Sequence, residues 1–560
     1  MYKTCIIDGY IDEPTCLGVP PYISPYPRYI TGAILSNNKK NLVEYFTIDQ
    51  IRKNNDILKK ISNFDIIIII AGSSVPGRYL SGYPLGANEI ERIIRNIKKP
   101  KKILCGPAAK YGFSRGGGRK TRDISHLFDY IIKGDPETFI YNFLDGKINE
   151  NIIRKNSNSI SKFAEIGSKI VKKHPNYPDY LICEIETYRG CTRSNVGGCS
   201  FCSEPEKGKP DFREIKDISS EIKKLYDNGI LHFRLGNQPC FFSYKSKESG
   251  KKEFPRPNPE AIENLLLNIR KVAPQLKTLH IDNANPGIIA RHPEESKDIA
   301  NIIIRYHTSG DVAAFGVESV DPKVISENNL KADKKQIKSA IKILNDAGKK
   351  IGRNGMPELL PGLNFLYGLK GENKKTFTLN YEFLKELIKE NLLVRRINVR
   401  QIIPIPNTKM YNLGIKIVLK HKSEFNHFKY LVKENIERKL LERMIPKATI
   451  IKEAYTEKHD GKLTFARQLG SYPLLIGIPG IFPLHKFIDV KIVDYGYRSI
   501  TAIPHPININ KVEKETIMAI PGIGKKRAKK IIANRPFKNN TSMINIIEDK
   551  NLKDELKKYL

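Results

Sequence analysis

Leu181-Ile-Cys-Glu-Ile-Glu-Thr187 runs without a break into Tyr188-Arg-Gly-Cys191-Thr-Arg-Ser-Asn-Val-Gly-Gly-Cys199-Ser-Phe-Cys202. The first segment reads as a strand, and the second as a glycine-bearing loop that gathers three thiols just after it. The same strand-then-helix rhythm recurs outward through residues 177–411, with strands expected at 181–187, 232–235, 278–281, 313–317, 362–367 and 397–404. Six such units fit a partial β/α barrel. Functional residues in such barrels collect at the C-terminal strand ends, where Cys191, Gly236, Glu318 and Gly368 stand.

The flanks have a different texture. Stretches 4–7, 64–71 and 102–105 are apolar without alternation and end in Gly or Pro, so they read as buried parallel strands of an α/β unit. A further strand at 130–133 ends in Gly134-Asp-Pro-Glu137. The loop Ser114-Arg-Gly-Gly-Gly-Arg-Lys-Thr-Arg122 is too basic for a core and is expected on the surface, and the polar stretch 147–161 reads as a linker. Beyond a charged helix at 424–443, short strands at 449–454, 463–466, 474–476, 487–493 and 498–502 suggest a small closed barrel. The last fifty residues return to helix. The expected class is α/β, divided into a Rossmann-like unit at 1–160, the β/α core at 175–425, an OB-like barrel at 446–505 and a helical unit at 508–560.

A chain of 560 residues exceeds what one core supports. Lys plus Arg number 95 against 60 for Asp plus Glu, a formal charge of +35. Such an excess favours a polyanionic partner such as nucleic acid, although a lysine-rich proteome produces the same excess. The eight cysteines lack the density and spacing of a secreted disulfide framework, which fits a reducing cytosol. No basic-then-apolar leader follows Met1, and the densest apolar run, 66–71, is far short of the ~20 residues that span a bilayer. The expectation is a soluble, cytoplasmic protein with no membrane partner.

Soft thiolates converging from a flexible loop suit the corners of a [4Fe–4S] cluster. Cys191, Cys199 and Cys202 as three ligands would leave one iron open to the amino and carboxylate groups of S-adenosylmethionine. Three other readings compete. A zinc site normally takes four ligands, often as paired CxxC units, and only one CxxC stands here. Cys183 as a fourth ligand would close a structural cluster, but it lies about five residues back along the strand, roughly 16 Å away. The third reading is three unliganded thiols.

The loop resembles the radical S-adenosylmethionine (radical SAM) signature CxxxCxxC, whose aromatic residue before the last cysteine is kept as Phe201. Seven residues rather than three separate Cys191 from Cys199, an insertion that costs little closure entropy. Leu235-Gly236-Asn237-Gln238 stands where the family binds the amino group of its cofactor, although the usual acidic residue is absent. Gly316-Val-Glu318-Ser319 resembles the strand end that takes the ribose hydroxyls, and Gly368-Leu-Lys-Gly371-Glu372 resembles the GLPGE turn with Lys370 for Pro. The resemblance implies a [4Fe–4S] cluster and S-adenosylmethionine as cofactors, with contacts from Phe201, Gly236, Asn237, Glu318, Ser319, Gly368 and Gly371. It also implies reductive cleavage to a 5′-deoxyadenosyl radical and an electron donor such as ferredoxin or flavodoxin.

Ile517 to Phe537 resembles a helix-hairpin-helix, whose turn Pro521-Gly522-Ile523-Gly524 aims backbone N–H groups at a phosphate. That implies nucleic-acid contacts through Gly522, Gly524, Lys525, Lys526 and Lys529; a hairpin used only for packing is the alternative. Residues 446–503 resemble the TRAM domain of RNA-modifying methylthiotransferases, with an ordinary capping barrel as the alternative. The N-terminal block, with Cys105-Gly-Pro-Ala-Ala109, resembles a cobalamin-binding-type Rossmann domain. The DxHxxG loop carrying a lower cobalt ligand is missing, so the fold is expected without cobalamin. Methylthiotransferases carry three N-terminal cysteines for a second cluster, whereas here only Cys16 and Cys105 fall in plausible loops, so methylthiolation or methylation is a leaning only. His280 and Asp282 either face substrate or satisfy loop backbone. The whole chain resembles an archaeal-type radical SAM family with a C-terminal helix-hairpin-helix, which implies an enzyme modifying nucleic acid, tRNA foremost. A radical SAM enzyme acting on a metabolite or protein, and a nucleic-acid-binding protein with a structural or redox cluster, are the alternatives.

Overall fold

The computed structural model describes residues 1–13, 16–73, 79–114 and 116–560; Arg115 of the expected surface loop lies outside them. Five parallel strands open the chain: Lys3–Asp8, Leu42–Thr47, Ile66–Ile70, Lys101–Cys105 and Tyr130–Ile131. Their spatial order is second, first, third, fourth, fifth, a doubly wound arrangement. Ile66–Ile70 is five buried isoleucines, β-branched side chains that fill both faces of a covered sheet. Leu42–Thr47 was not anticipated: it is an edge strand with exposed and half-buried positions, so no continuous apolar run announces it.

Two further four-stranded parallel sheets come next along the chain. Ile182–Glu186, His232–Gly236 and Thr278–Ile281 pair in register with Tyr22–Ile23 added at one edge. Asn283–Ala284, Asp311–Glu318, Leu359–Tyr367 and Arg396–Gln401 form the second. The chain passes from one sheet to the other at Asp282, so the six expected strand positions form one curved succession. Helices Ile215–Asp227, Pro259–Val272, Pro293–Tyr306, Lys334–Gly348 and Lys374–Lys389 run between the strands, each burying an apolar stripe such as Ile337, Ile341 and Leu344.

The N-terminal unit does not fold apart from the central sheets. Helix Pro25–Asn37 buries Arg28 completely, where its guanidinium pairs with Glu221 at 2.9 Å; Glu221 also pairs with buried Arg213 at 2.6 Å. The stretch 147–161, read as a linker, is anchored instead. Gly134 N donates to Glu150 O at 3.0 Å, and Arg154 is buried between Glu137 and Glu186. Its polar side chains satisfy a turn and two buried carboxylates rather than water.

Ile450–Asp460, Leu463–Gln468, Leu475–Pro479, Phe487–Tyr495 and Ser499–Pro504 close into a five-stranded barrel around Ile451, Ala466, Ile476, Val490 and Ala502. Outward-facing Val493 and Ile503 pack under the terminal helices Lys514–Ala519 and Lys525–Ala533, against Ile517, Ala528 and Ile531. The helix expected at 424–443 is Lys422–Val432 and Arg438–Met444 joined by a π turn at Lys433–Glu437. Among the described residues no helix is long and apolar enough to cross a membrane.

Candidate thiol and cofactor site

Strand Ile182–Glu186 delivers the chain into the cysteine loop, whose path depends on glycine. Gly190, Gly197 and Gly198 all have positive φ, and a side chain on Gly198 would collide with the Pro205 ring. The long Cys191-to-Cys199 interval is taken up by a 3-10 turn at Ser194–Val196 and this Gly197-Gly198 reversal. Cys191, Cys199 and Cys202 are partly exposed, whereas Cys5, Cys16, Cys105, Cys183 and Cys240 are buried. Cys183 faces the Arg28 guanidinium.

Burial pushes the Cys191 thiol up to about 11 and raises Cys199 and Cys202, and the three thiols repel one another's charge. Opposing this, Arg193 directs its backbone N–H at Cys191 Sγ (3.4 Å) and its Nη1 at Cys199 Sγ (3.1 Å). Lys331 adds positive charge beside Cys199 and Cys202. Among the described residues no three His, Cys, Asp or Glu side chains close around a single ion position. A four-iron cluster offers its ligand positions at separate corners, so its thiolates need not converge on one point. Three soft donors with two cations beside them fit an anionic iron–sulfur group.

Glu318 stands next to these thiols. A register slip between Gly316 and Glu318 ends the strand with Glu318 at φ +56°, which turns its carboxylate to lie 3.6 Å from Lys331 Nζ. Burial raises its pKa, and Lys331 pulls it back; its Oε2 is buried without a partner. An orphaned buried carboxylate oxygen is a costly acceptor awaiting a donor. Ser319 is engaged within the loop, with its hydroxyl on Asn380 Oδ1 (3.3 Å).

Gly236 ends the second strand of the succession and Asn237 follows it, beside two acidic residues of the first. Asn237, at φ +50°, donates its backbone N–H to Glu184 Oε1 (3.1 Å) and its amide to Glu186 Oε2 (2.8 Å). Both carboxylates, on the neighbouring strand, are also paired with buried arginines, Glu184 with Arg234 and Glu186 with Arg154, and a side chain at Gly236 would strike Glu184. Phe201 packs with Cys199 into an apolar cluster with Leu369, Ile402 and Val418. Gly368, at φ +95°, lies against the same cluster, where a side chain would strike Val418 and Ile402, and its N–H donates to Glu372 Oε2 at 2.8 Å; Gly371 has φ +83°.

The thiols, Phe201, Glu318 and the Gly368 turn are therefore brought together, with Gly236 and Asn237 at adjoining strand ends. Sequence reasoning missed Arg193 and Lys331 beside the thiols, and Arg234, which bridges Glu184 (3.0 Å) and Asp282 (2.6 Å). Of these only Arg193, inside the cysteine loop, carried a local signal. His280 satisfies backbone, at Thr308 O (2.9 Å) and Ser471 N (2.9 Å), and Asp282 accepts from Tyr472 Oη at 3.3 Å. Gly522 (φ +78°) and the unobstructed Gly524 lie in the turn between the two terminal helices, away from the thiols, with Lys525, Lys526 and Lys529 exposed.

Residues 185–384 match the family model of the radical SAM superfamily. An uncharacterized protein of Methanocaldococcus jannaschii is 49% identical over 509 residues, covering 89% of this chain and 92% of that one. One of Archaeoglobus fulgidus is 41% identical over 542 residues, covering 97% of each. Among solved structures, the radical SAM methyltransferase TsrM from Kitasatospora setae, with tryptophan and a SAM analogue, is 13% identical at a TM-score of 0.49, over 73% of this chain and 76% of that one. OxsB with aqua-cobalamin and S-adenosylmethionine is 12% identical at a TM-score of 0.46, over 76% of this chain and 56% of that one.

These findings correct the expectation on cobalamin. TsrM is also solved with cobalamin and a [4Fe–4S] cluster bound, and OxsB is cobalamin-dependent, so the exclusion drawn from the missing DxHxxG loop does not hold. A lower ligand is one contact among the many that a cofactor of that size makes, so its absence from the sequence is no ground for exclusion. The chain belongs to one family with these archaeal proteins, and it is an enzyme of the radical SAM superfamily.

Proposed function

We infer that Cys191, Cys199 and Cys202 hold a [4Fe–4S] cluster and that the enzyme modifies a nucleic acid, tRNA foremost. The observation that carries the cluster is the set of three partly exposed thiols in mutual electrostatic reach, flanked by Arg193 and Lys331. The bound cluster and S-adenosylmethionine supply one-electron reductive cleavage and a reactive carbon radical. The chain's own residues do the positioning. Glu318, with its free Oε2, is set to accept from ribose hydroxyls. Asn237, held at its strand end by Glu184 and Glu186, is set to meet the amino end of the cofactor. Phe201, Leu369 and Val418 form an apolar wall that keeps water away.

The nucleic-acid substrate is supported by the terminal helices. Among the described residues Lys525, Lys526 and Lys529 have no ion-pair partner, while Lys530 pairs with Glu548 at 2.7 Å. They flank an open Gly524 at a helix start, an arrangement suited to phosphate. Transfer of a methyl or methylthio group is the reaction class we favour, with a ferredoxin- or flavodoxin-like electron donor. The test is mass spectrometry of nucleosides from tRNA and rRNA of cells with and without the protein. Disappearance of one modified nucleoside is the expected result; unchanged profiles would favour a metabolite or protein substrate.

A further inference from the structure

Arg396 begins the last parallel strand, and Arg400 lies on the same face because strand side chains repeat every two residues. The Arg396 guanidinium sits 5.2 Å from the Tyr472 ring centre, and Tyr472 Oη donates to Asp282 Oδ1 at 3.3 Å. Asp282 pairs with Arg234 at 2.6 Å, and Arg234 with Glu184 at 3.0 Å. This run of contacts crosses from the last strand of the succession to the first. Only side chains pointing into the interior can make it.

Within that interior the charges are unevenly matched. Arg234 has two carboxylates at contact distance. Arg396 gives its Nε to Asn398 Oδ1 at 2.8 Å, and among the described residues neither Arg396 nor Arg400 meets a carboxylate at ion-pair distance. Asp12 acts on both electrostatically from farther away. Neighbouring Arg395 donates to Tyr472 O at 2.7 Å and likewise has no carboxylate partner. Guanidinium forks held in a partly desolvated interior are costly until an anion meets them, and their planar donors match a carboxylate or phosphate edge. Leu366, paired in register with Arg400, lies two residues before Gly368, so Arg400 is at the cofactor end of the strand.

The geometry points to an oxyanion of the substrate, phosphate or carboxylate, bound between Arg396 and Arg400 over a floor formed by Tyr472. The inference rests on the interior being the substrate chamber of the proposed radical chemistry. It assigns Tyr472, which belongs to the C-terminal barrel, a place in that chamber.

The test uses the full chain with its cluster reconstituted, labelled anaerobically with phenylglyoxal in chloride, inorganic phosphate or acetate at equal ionic strength, with adducts mapped by peptide mass spectrometry. Saturating phosphate or acetate should lower labelling of Arg396 and Arg400 about ten-fold. Labelling of exposed Arg92 and Arg353 should not change. Protection by phosphate alone identifies a phosphoryl group or phosphodiester; protection by acetate identifies a carboxylate. Equal labelling in all three salts overturns the proposal. So does an absence of labelling in chloride, since a site open to substrate is open to the reagent. In parallel, Arg400→Gln should weaken calorimetrically measured binding of the protecting anion, phosphate or acetate, about ten-fold; unchanged affinity overturns the proposal. Protection is read without turnover, so failure of cofactor cleavage would sink the radical-enzyme reading separately.

Discussion

At the scale of single residues, the thiol loop is a place where positive charge offsets a cost. Burial holds the three thiols protonated, and Arg193 and Lys331 lower the cost of forming the thiolates that a metal group needs. Cys191→Ala, Cys199→Ala or Cys202→Ala should each abolish 5′-deoxyadenosine formation and lower bound iron, whereas Cys183→Ala, set against Arg28, should leave both intact. Iron analysis together with product chromatography checks this. Glu318→Ala should weaken S-adenosylmethionine binding by roughly 1.5–3 kcal/mol with little loss of iron, the worth of a hydrogen bond to a charged group; unchanged calorimetric affinity would remove Glu318 from the cofactor site. Glu372 carries a pH signature. Burial lifts its pKa to about 7 from an ordinary value of 4.5. A raised carboxyl pKa stabilises the fold below the unfolded value, and that contribution is lost as pH rises through about 7. Glu372→Gln should therefore match the native chain near pH 5 and exceed its melting temperature near pH 8, read by thermal scans at both. The cysteines were legible because cluster ligands share one short segment. Glu184 and Glu186 were not, because they reach Asn237 from a neighbouring strand some fifty residues away.

At the scale of elements, the helix Pro25–Asn37 is tied to the central sheets by charge as much as by apolar contact. Arg28 and Arg213 share Glu221, and all three side chains are fully buried. Taking one partner from a buried pair leaves a desolvated charge, at a cost of about 3–5 kcal/mol. Glu221→Gln, which leaves two arginines without their carboxylate, should lower the urea midpoint sharply, while Lys223→Gln on the exposed face of the same helix should not. Equal midpoints would mean that water already solvates the pair. The strands 232–236 and 278–281 were readable because they are buried runs bounded by turn residues. Tyr22–Ile23 was not, since two residues after Pro20-Pro21 carry no periodicity, and its pairing with Ile182 and Cys183 depends on contacts about 160 residues apart. Leu42–Thr47 escaped for a related reason: edge strands are half-solvated and lose the apolar continuity that marks a central one.

At the scale of the whole molecule, the units expected from the sequence interlock, and this decides how the nucleic-acid reading can be tested. The loop after Gln468 in the C-terminal barrel enters the central sheets, where Ser471 Oγ donates to Ile281 O at 3.0 Å and Tyr22 Oη reaches Gly470 O. The terminal helices in turn cover Val493 and Ile503 on the barrel surface, and Thr516 Oγ1 donates to Pro479 O at 2.5 Å. Such long-range packing is invisible to a segment-by-segment reading. Truncation before Lys511 would expose that apolar face and disturb the barrel that carries Tyr472. Surface substitution is the cleaner probe. Lys525, Lys526 and Lys529 are exposed, and among the described residues they have no ion-pair partner, so replacing all three with Ser should leave the fold and uncoupled cofactor cleavage unchanged. Each phosphate neutralised contributes about −0.9 to the log–log salt slope on duplex and about −0.7 on single strands. Losing three contacts should flatten the slope for tRNA by about 2 to 3 and weaken binding evenly across sequences, because phosphate contacts position the ligand without reading bases. Filter binding of tRNA over a range of salt concentrations measures both quantities. A triple variant with native affinity and slope would show that these helices serve packing alone, and a small substrate held by Arg396 and Arg400 would then be the better account of the chamber.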